Sequence, residues 1–313
     1  MIQILLTSLS LVAPLLLLVL AGAILKKLGF ISDPTISEIS RIVLKLLLPI
    51  KIFLNIYNGK LDSNLSGKYV FVLVGSYVIS VIINTIILHI RNVDTKQKSA
   101  ILQNATRANI SIFALPLTIL IAGEAISPLV AVSVGIMTPI TNGYAIAEFE
   151  YYEPGECSKL KVLYRIITSP IVLAAILGFV FKGLNVSLPG IIAKTFSEMA
   201  NCVNGMSLIL VGASFKLTFN KEDLFNTIYT ISYKTVICPL IAILLGVLFK
   251  LNPEQMIVIM CISSAPIATS CFPTANGYDT DINLVSSTLV YSYIVCGFTI
   301  TLIISILRVL CLI

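Results

Sequence analysis

An all-helical, multi-pass membrane protein is the fold class this sequence predicts, and three observations predict it. The first is composition: of 313 residues, 57% are hydrophobic and only 12% are charged, where a soluble domain carries about 25%. The second is a mean hydropathy of +1.00, which asks for lipid rather than water around most of the surface. The third is segmentation. Ten apolar stretches, each near the roughly 20 residues that a helix needs to cross a bilayer, alternate with short polar intervals.

In order, the expected spans are 3–25, 37–57, 69–90, 99–122, 126–147, 163–182, 190–215, 226–249, 254–277 and 283–310. The first resembles a secretion signal in length, but its charge order is reversed. No basic residue precedes the run Ile4 to Leu25, and Lys26 and Lys27 follow it, whereas a cleaved signal places its positive charge first. The segment is therefore expected to remain as a helix with its N-terminus outside. Orientation follows from the excess of basic residues in cytoplasmic loops. With the N-terminus outside, the inner connections hold Lys26, Lys27, Arg91, Lys96, Lys98, Lys159, Lys161, Lys216 and Lys221, against Lys60, Lys68, Lys182, Lys250 and Arg308 outside. Ten spans then place both termini on the extracytoplasmic side of a cell membrane.

The polar interval 148–162 divides the chain near its middle. Residues 1–150 form a first unit of five spans, 151–162 a cytoplasmic linker and 163–313 a second unit of five. Pro14 and Pro170 are 156 residues apart, as are Leu17 and Leu173, Gly22 and Gly178, Lys26 and Lys182, and Leu28 and Leu184; Pro116 and Pro273 are 157 apart. Five spans is an odd number, so the second unit enters from the opposite side. The expectation is an inverted repeat, a common plan of secondary carriers.

The fourth and ninth segments hold the chemistry. Each carries proline inside its span: Pro116 in the fourth, Pro266 and Pro273 in the ninth. Proline removes an N–H and clashes with the preceding turn, at about 3 kcal/mol in a helix interior, and in lipid each freed carbonyl needs another partner. Asn104, Asn109, Ser111, Ser263, Ser264, Thr269 and Ser270 surround these prolines. The expectation is two broken helices crossing near the midplane, with breaks in the windows Asn109–Pro116 and Pro266–Pro273. Bare amides at the restarted helices would receive an anion. A simple proline kink is the alternative. The substrate-binding candidates are Arg107, Asn109, Ser111, Pro116, Pro266, Thr269, Ser270 and Pro273.

Charges within spans are functional candidates by default. Arg107 has two readings, a charge facing an anion or a side chain snorkelling to the interface. Glu198 has two as well, an ion pair with Lys194 or a proton-coupling carboxylate. Arg41, Lys45 and Lys234 lie near span ends, where snorkelling is expected. The seven cysteines form no CxxC pair and His89 is the one histidine, so neither a metal nor a cofactor is expected. Lys and Arg form no basic face, which argues against nucleic acid. No HExxH, GxSxG, P-loop or GxGxxG motif points to an enzyme.

With these motifs in hand, the chain resembles the auxin efflux carrier family, whose bacterial members include proteins assigned to malonate and malate transport and whose plant relatives are the PIN-type auxin carriers. APLLLLVLAGAILKKLGFIS is similar to the family's opening helix, and ISRIVLKLLLPIKIF, with Pro49, to its second. TRANISIFALPL places Arg107, Asn109 and Pro116 on the family's Arg-x-Asn stretch, and APIATSCFPTANGYDTD places Pro266, Ala275 and Tyr278 on its ninth-helix pattern. Gly205, where many members have proline, and the extra Pro273 depart from the pattern. The resemblance implies ten helices in two inverted repeats, a scaffold of spans 1, 2, 6 and 7, a moving part of spans 3–5 and 8–10, and a homodimer. It also implies a secondary carrier of a small organic anion, a mono- or dicarboxylate, in the lipid bilayer. A sodium- or proton-coupled cation antiporter and a sensor without flux are the rival readings. The first needs buried carboxylates at the crossing, which segments four and nine do not supply.

Overall fold

A computed structural model describes residues 2–58, 66–152, 164, 168–215, 221–310 and 312–313; the side chains of 1–12, 111, 112, 116, 124, 127 and 221–223 lie outside the description. Among the described residues the chain is helical, with no strand beyond a single isolated bridge. The helices are α1 (Ile2–Lys27), α2 (Asp33–Ile42), α3 (Leu48–Tyr57), α4 (Gly67–Ile90), α5 (Thr95–Thr106), α6 (Leu115–Ala122), α7 (Ser127–Tyr152), α8 (Pro170–Gly183), α9 (Gly190–Ser214), α10 (Lys221–Ser232), α11 (Cys238–Leu248), α12 (Pro253–Ser264), α13 (Cys271–Ala275) and α14 (Ile282–Val309). Four continuous stretches, Gly67–Ile90, Pro128–Tyr152, Leu224–Leu248 and Ile282–Val309, are long and apolar enough to cross a membrane. Large apolar side chains such as Leu17, Phe71, Ile82, Leu244, Phe298 and Leu302 stand at least half exposed on the outside of the bundle. In water such a surface would associate; in lipid it is already solvated.

Helix starts follow ordinary capping chemistry. Ser32, Ser66, Ser169 and Asp281 each accept a backbone N–H of the first turn, and Asn252 forms a reciprocal capping box with Gln255. Three prolines share a second pattern. Single π turns at Val43–Leu47, Ile110–Ala114 and Tyr233–Ile237 each end two residues before Pro49, Pro116 or Pro239. A π turn widens the helix locally, which relieves the proline clash with the preceding turn without ending the helix. α2 and α3 therefore run on through one π turn, as do α10 and α11.

α1 packs along α9, and α3 packs on α8 and α9. Glycines set these approaches. A Cβ at Gly22 would lie 2.0 Å from the Ile209 carbonyl oxygen, and one at Gly212 would lie 1.8 Å from that of Val19. At Gly178 the Phe53 carbonyl oxygen would stand 3.1 Å away. α4–α7 and α10–α14 make the other body of contacts, with α11 against α4 and α12, and α14 against α5 and α10.

The fourth and ninth segments are interrupted. α5 stops at Thr106, Arg107 is extended (φ −84°, ψ 125°), and helix resumes at Ile110. α12 stops at Ser264, Ala265 is extended, and α13 begins at Cys271. Each interruption begins earlier than its expected window, Asn109–Pro116 or Pro266–Pro273. The reasons differ. Pro116 lies within the resumed helix, after the π turn Ile110–Ala114, so it does not make the first break. Pro266 pushes the residue before it, Ala265, out of the helical region, so α12 ends at Ser264, just ahead of that proline. α7 runs on to Tyr152, so residues 148–152 of the expected polar interval are helix; 153–163, which hold most of the expected linker, lie outside the described residues.

Candidate functional site

The two interruptions meet. Ala108 and Ile267 form an antiparallel bridge, with Asn109 N donating to Pro266 O at 2.8 Å and Ala268 N donating to Arg107 O at 3.2 Å. Ile267 N donates to Ser292 Oγ at 3.1 Å, and Ile110 N to Ala108 O at 3.0 Å. Bare amides are therefore not found at Asn109, Ile110, Ile267 or Ala268. Each of these N–H groups donates to a carbonyl or hydroxyl oxygen, because an unpaired donor away from water costs about as much as the hydrogen bond it lacks. α14 fastens the crossing from one side, through Asn104 Nδ2 to Val285 O (2.9 Å) and Thr288 Oγ1 (2.6 Å), and through Asn109 Nδ2 to Tyr293 Oη (2.6 Å).

On the other side, between the crossing and α3 and α9, lies a polar cavity. Water centres can range over about 60 Å³ of it, room for a few waters or a small solute headgroup. Arg107, Asn109, Thr269 and Ser270 line it from the crossing, Asn142 from α7, Lys51 and Asn55 from α3, and Asn204 from α9. Arg107 is 2% exposed and points inward, so it does not snorkel to the interface. Its guanidinium donates to Gln103 Oε1 at 3.1 Å, Asn142 Oδ1 at 2.7 Å and Ser270 Oγ at 3.0 Å, all neutral acceptors. Lys51 Nζ donates to Asn204 Oδ1 at 2.7 Å, and Thr269 Oγ1 reaches the same oxygen at 3.2 Å. The cavity thus carries a cation on each wall and no Asp, Glu, His or Cys among its lining residues. A metal cation has no anionic ligand there, whereas an anion meets two positive groups and several amide and hydroxyl donors.

The remaining sequence candidates are placed as follows. Pro266 contributes its carbonyl to the bridge. Pro273 borders a separate hollow of about 440 Å³ lined also by Arg41, Lys45 and Glu150. Ser111 and Pro116 have side chains outside the description. Glu198 is exposed on α9 and does not line the cavity. The expected snorkelling of Lys234 needs correction. Lys234 is 1% exposed and its Nζ donates inward to Ser263 O at 2.6 Å, because that carbonyl lies in the last turn of α12, where carbonyls lack helical partners and the dipole is negative. A second small cavity, where water centres range over about 40 Å³, adjoins Lys234 behind the crossing.

Sequence reasoning missed Lys51, Gln103, Asn142, Glu148 and Asn204. For α7 a signal existed: Asn142, Ala145, Ile146 and Phe149 fall on one helical face by the three- and four-residue spacing, and all four are buried. No curated protein matches the chain. A family model described as membrane transport protein matches residues 7–304. Interrupted helices joined inside an apolar bundle, a cation-lined cavity beside them and that match over nearly the whole length fit together: the chain is a multi-pass membrane transporter belonging to the membrane transport protein family, the auxin efflux carriers.

Proposed function

We propose that this transporter is a secondary carrier that moves a small organic anion, a mono- or dicarboxylate such as malonate, malate or an auxin-like acid, by alternating access. The observation that carries the reading is the pair of cations on opposite walls of one buried cavity, Lys51 on α3 and Arg107 at the crossing, with no carboxylate lining it. A carboxylate entering there exchanges water for charge-assisted hydrogen bonds, each stronger than its neutral counterpart. A cation antiporter would need the opposite charge in that place.

The proposal takes the chain as two inverted repeats of five spans, and a repeated contact supports it. Gly22 against the Ile209 carbonyl and Gly178 against the Phe53 carbonyl are the same contact shifted by 156 positions at both ends, the offset that the sequence carries. On this reading α1–α3, α8 and α9 are the scaffold and the remaining helices the moving part, with the cavity on the boundary. The termini face outside and the membrane is the cell membrane, as the basic residues suggest.

The test is counterflow of radiolabelled carboxylates in proteoliposomes, which needs no ion gradient. Saturable exchange is expected, and its absence with malonate, malate, acetate and an auxin alike would remove the reading. Asn109→Ala is expected to lower exchange roughly tenfold, the value of about one charge-assisted hydrogen bond. The bond of Asn109 N to Pro266 O is kept, but the side-chain bond to Tyr293 Oη is lost. Asn109→Asp, which keeps an acceptor for that hydroxyl, is therefore the companion variant, and the recovered yield of both is compared with wild type. Lys51→Gln is expected to raise KM by roughly 10- to 100-fold, with little change in the amount of protein recovered, since Lys51 is only half-buried. An unaltered KM would take Lys51 out of the site.

A further inference from the structure

Glu148 stands apart from the cavity but is joined to it. Its side chain is buried near the end of α7, 6% exposed. Oε2 accepts from Gln103 Nε2 at 2.6 Å, and Oε1 has no hydrogen-bond partner. Gln103, fully buried on α5, turns its own Oε1 to Arg107 Nη1 at 3.1 Å. Both ends of this amide are fixed by chemistry: a guanidinium only donates and a carboxylate only accepts. Gln103 therefore transmits between a cation that faces the cavity and a carboxyl that does not.

The titratable and charged groups facing Glu148 are few. They are Arg107 at the crossing, Tyr77 from α4, Tyr144 and Tyr152 one turn away on α7, and Cys271 at the start of α13. Glu150, next but one along the helix, turns instead toward Tyr278, whose hydroxyl donates to Glu150 Oε1 at 3.4 Å. Glu148 thus has one cation within reach, through one amide, and no direct ion pair. With the cavity empty, Arg107 and a Glu148 carboxylate offset each other. An anion in the cavity claims the Arg107 charge and leaves two negative groups sharing one positive group at low dielectric. A buried carboxylate without a counter-charge costs several kcal/mol, and the least costly response is to take up a proton. Oε1 is free to receive it, while Oε2 continues to accept from Gln103.

We propose that Glu148 is the proton-binding site of this transporter. One proton is taken up at its carboxylate for each anion bound beside Arg107, and anion and proton cross the membrane together. On the first side the carboxylate gains the proton from water, and on the other side anion and proton leave together. The coupling is reciprocal: the anion raises the proton affinity of Glu148, and acidification raises the affinity for the anion. The proposal rests on the anion reading of the cavity.

Proteoliposomes loaded with a pH-sensitive dye test it, using malonate, malate and acetate as probes on the wild type, Glu148→Gln and Glu148→Asp. For the wild type, an inward proton gradient is expected to speed anion uptake at least tenfold, and anion entry is expected to acidify the lumen. Glu148→Gln keeps the size of the side chain and an acceptor for Gln103. It is expected still to exchange anion, while gradient-driven uptake and lumen acidification fall to the level of empty liposomes. Glu148→Asp is expected to restore coupling with a shifted pH profile. Wild-type net anion uptake that moves no protons, with counterflow intact, would overturn this proposal and leave the anion reading standing, and so would wild-type proton movement in Glu148→Gln. Loss of counterflow in the wild type would overturn both. Should Glu148→Gln fail to fold, Glu148→Asp decides, since an unshifted pH profile of coupled uptake would overturn the assignment to Glu148.

Discussion

Arg107→Gln is expected to reduce carboxylate counterflow by between about 30-fold and several thousandfold. The guanidinium is the one full charge at the crossing itself, 2% exposed, and its bonds go to Gln103, Asn142 and Ser270. None of these three is charged and Glu148 reaches it only through Gln103, so its guanidinium makes no direct ion pair that a solute would have to displace. Removing one partner of a desolvated charge pair costs about 2–5 kcal/mol, and each 1.4 kcal/mol is tenfold in an equilibrium constant. Glutamine keeps a donor and much of the volume, so the charge is the main thing lost. Counterflow measured at saturating and subsaturating substrate checks this, and near-normal exchange would mean that the anion lies elsewhere. Arg107→Lys is expected to recover only part of the activity, because an ammonium cannot hold the three-way fork.

The largest effect on stability is expected at the contact of α1 with α9. Gly212→Ala would put a methyl group 1.8 Å from the Val19 carbonyl oxygen, and Gly22→Ala would put one 2.0 Å from that of Ile209. Overpacking relieved by side-chain shifts costs about 1–3 kcal/mol. Here the obstacle is backbone on both sides, so the helices must separate along their length and the cost should reach the top of that range or exceed it. Thermal unfolding of purified protein in detergent is expected to show a fall in Tm of several degrees and a lower yield for either variant. Gly75→Ala on α4, where nothing lies within 4 Å of the added carbon, is the control and should be unaffected. A wild-type Tm for Gly212→Ala would mean that α1 and α9 do not pack this closely.

Helix positions were legible because lipid demands long apolar runs. The expected span 69–90 is α4 at Gly67–Ile90, and 190–215 is α9 at Gly190–Ser214. The existence of two interruptions was legible in Pro116, Pro266 and Pro273, but their positions were not. Where a helix stops depends on whether freed backbone groups find partners, and for Arg107 to Asn109 the partners are Pro266 and Ala268, nearly 160 residues away. Pro49, Pro116 and Pro239 each follow a π turn that carries the helix on, so a proline alone does not mark a break. Within the site, Arg107, Asn109, Thr269 and Ser270 were readable as polar residues beside prolines. Lys51, Asn142 and Asn204 were not, because each looks like an isolated polar residue until its helix is brought to the crossing. Glu148 was hidden differently. It sits among EFEYYE, which reads as the start of a polar loop, and only the continuation of α7 to Tyr152 turns it inward to Gln103.

A structure determined with a brominated dicarboxylate such as bromomalonate tests the central claim most directly, because bromine locates the solute without reference to transport. The account predicts bromine density within the cavity, with one carboxylate at the Arg107 guanidinium and the other toward Lys51 Nζ. Bromine density confined to the hollow beside Arg41 and Lys45, with the cavity at the crossing empty of solute, would contradict it.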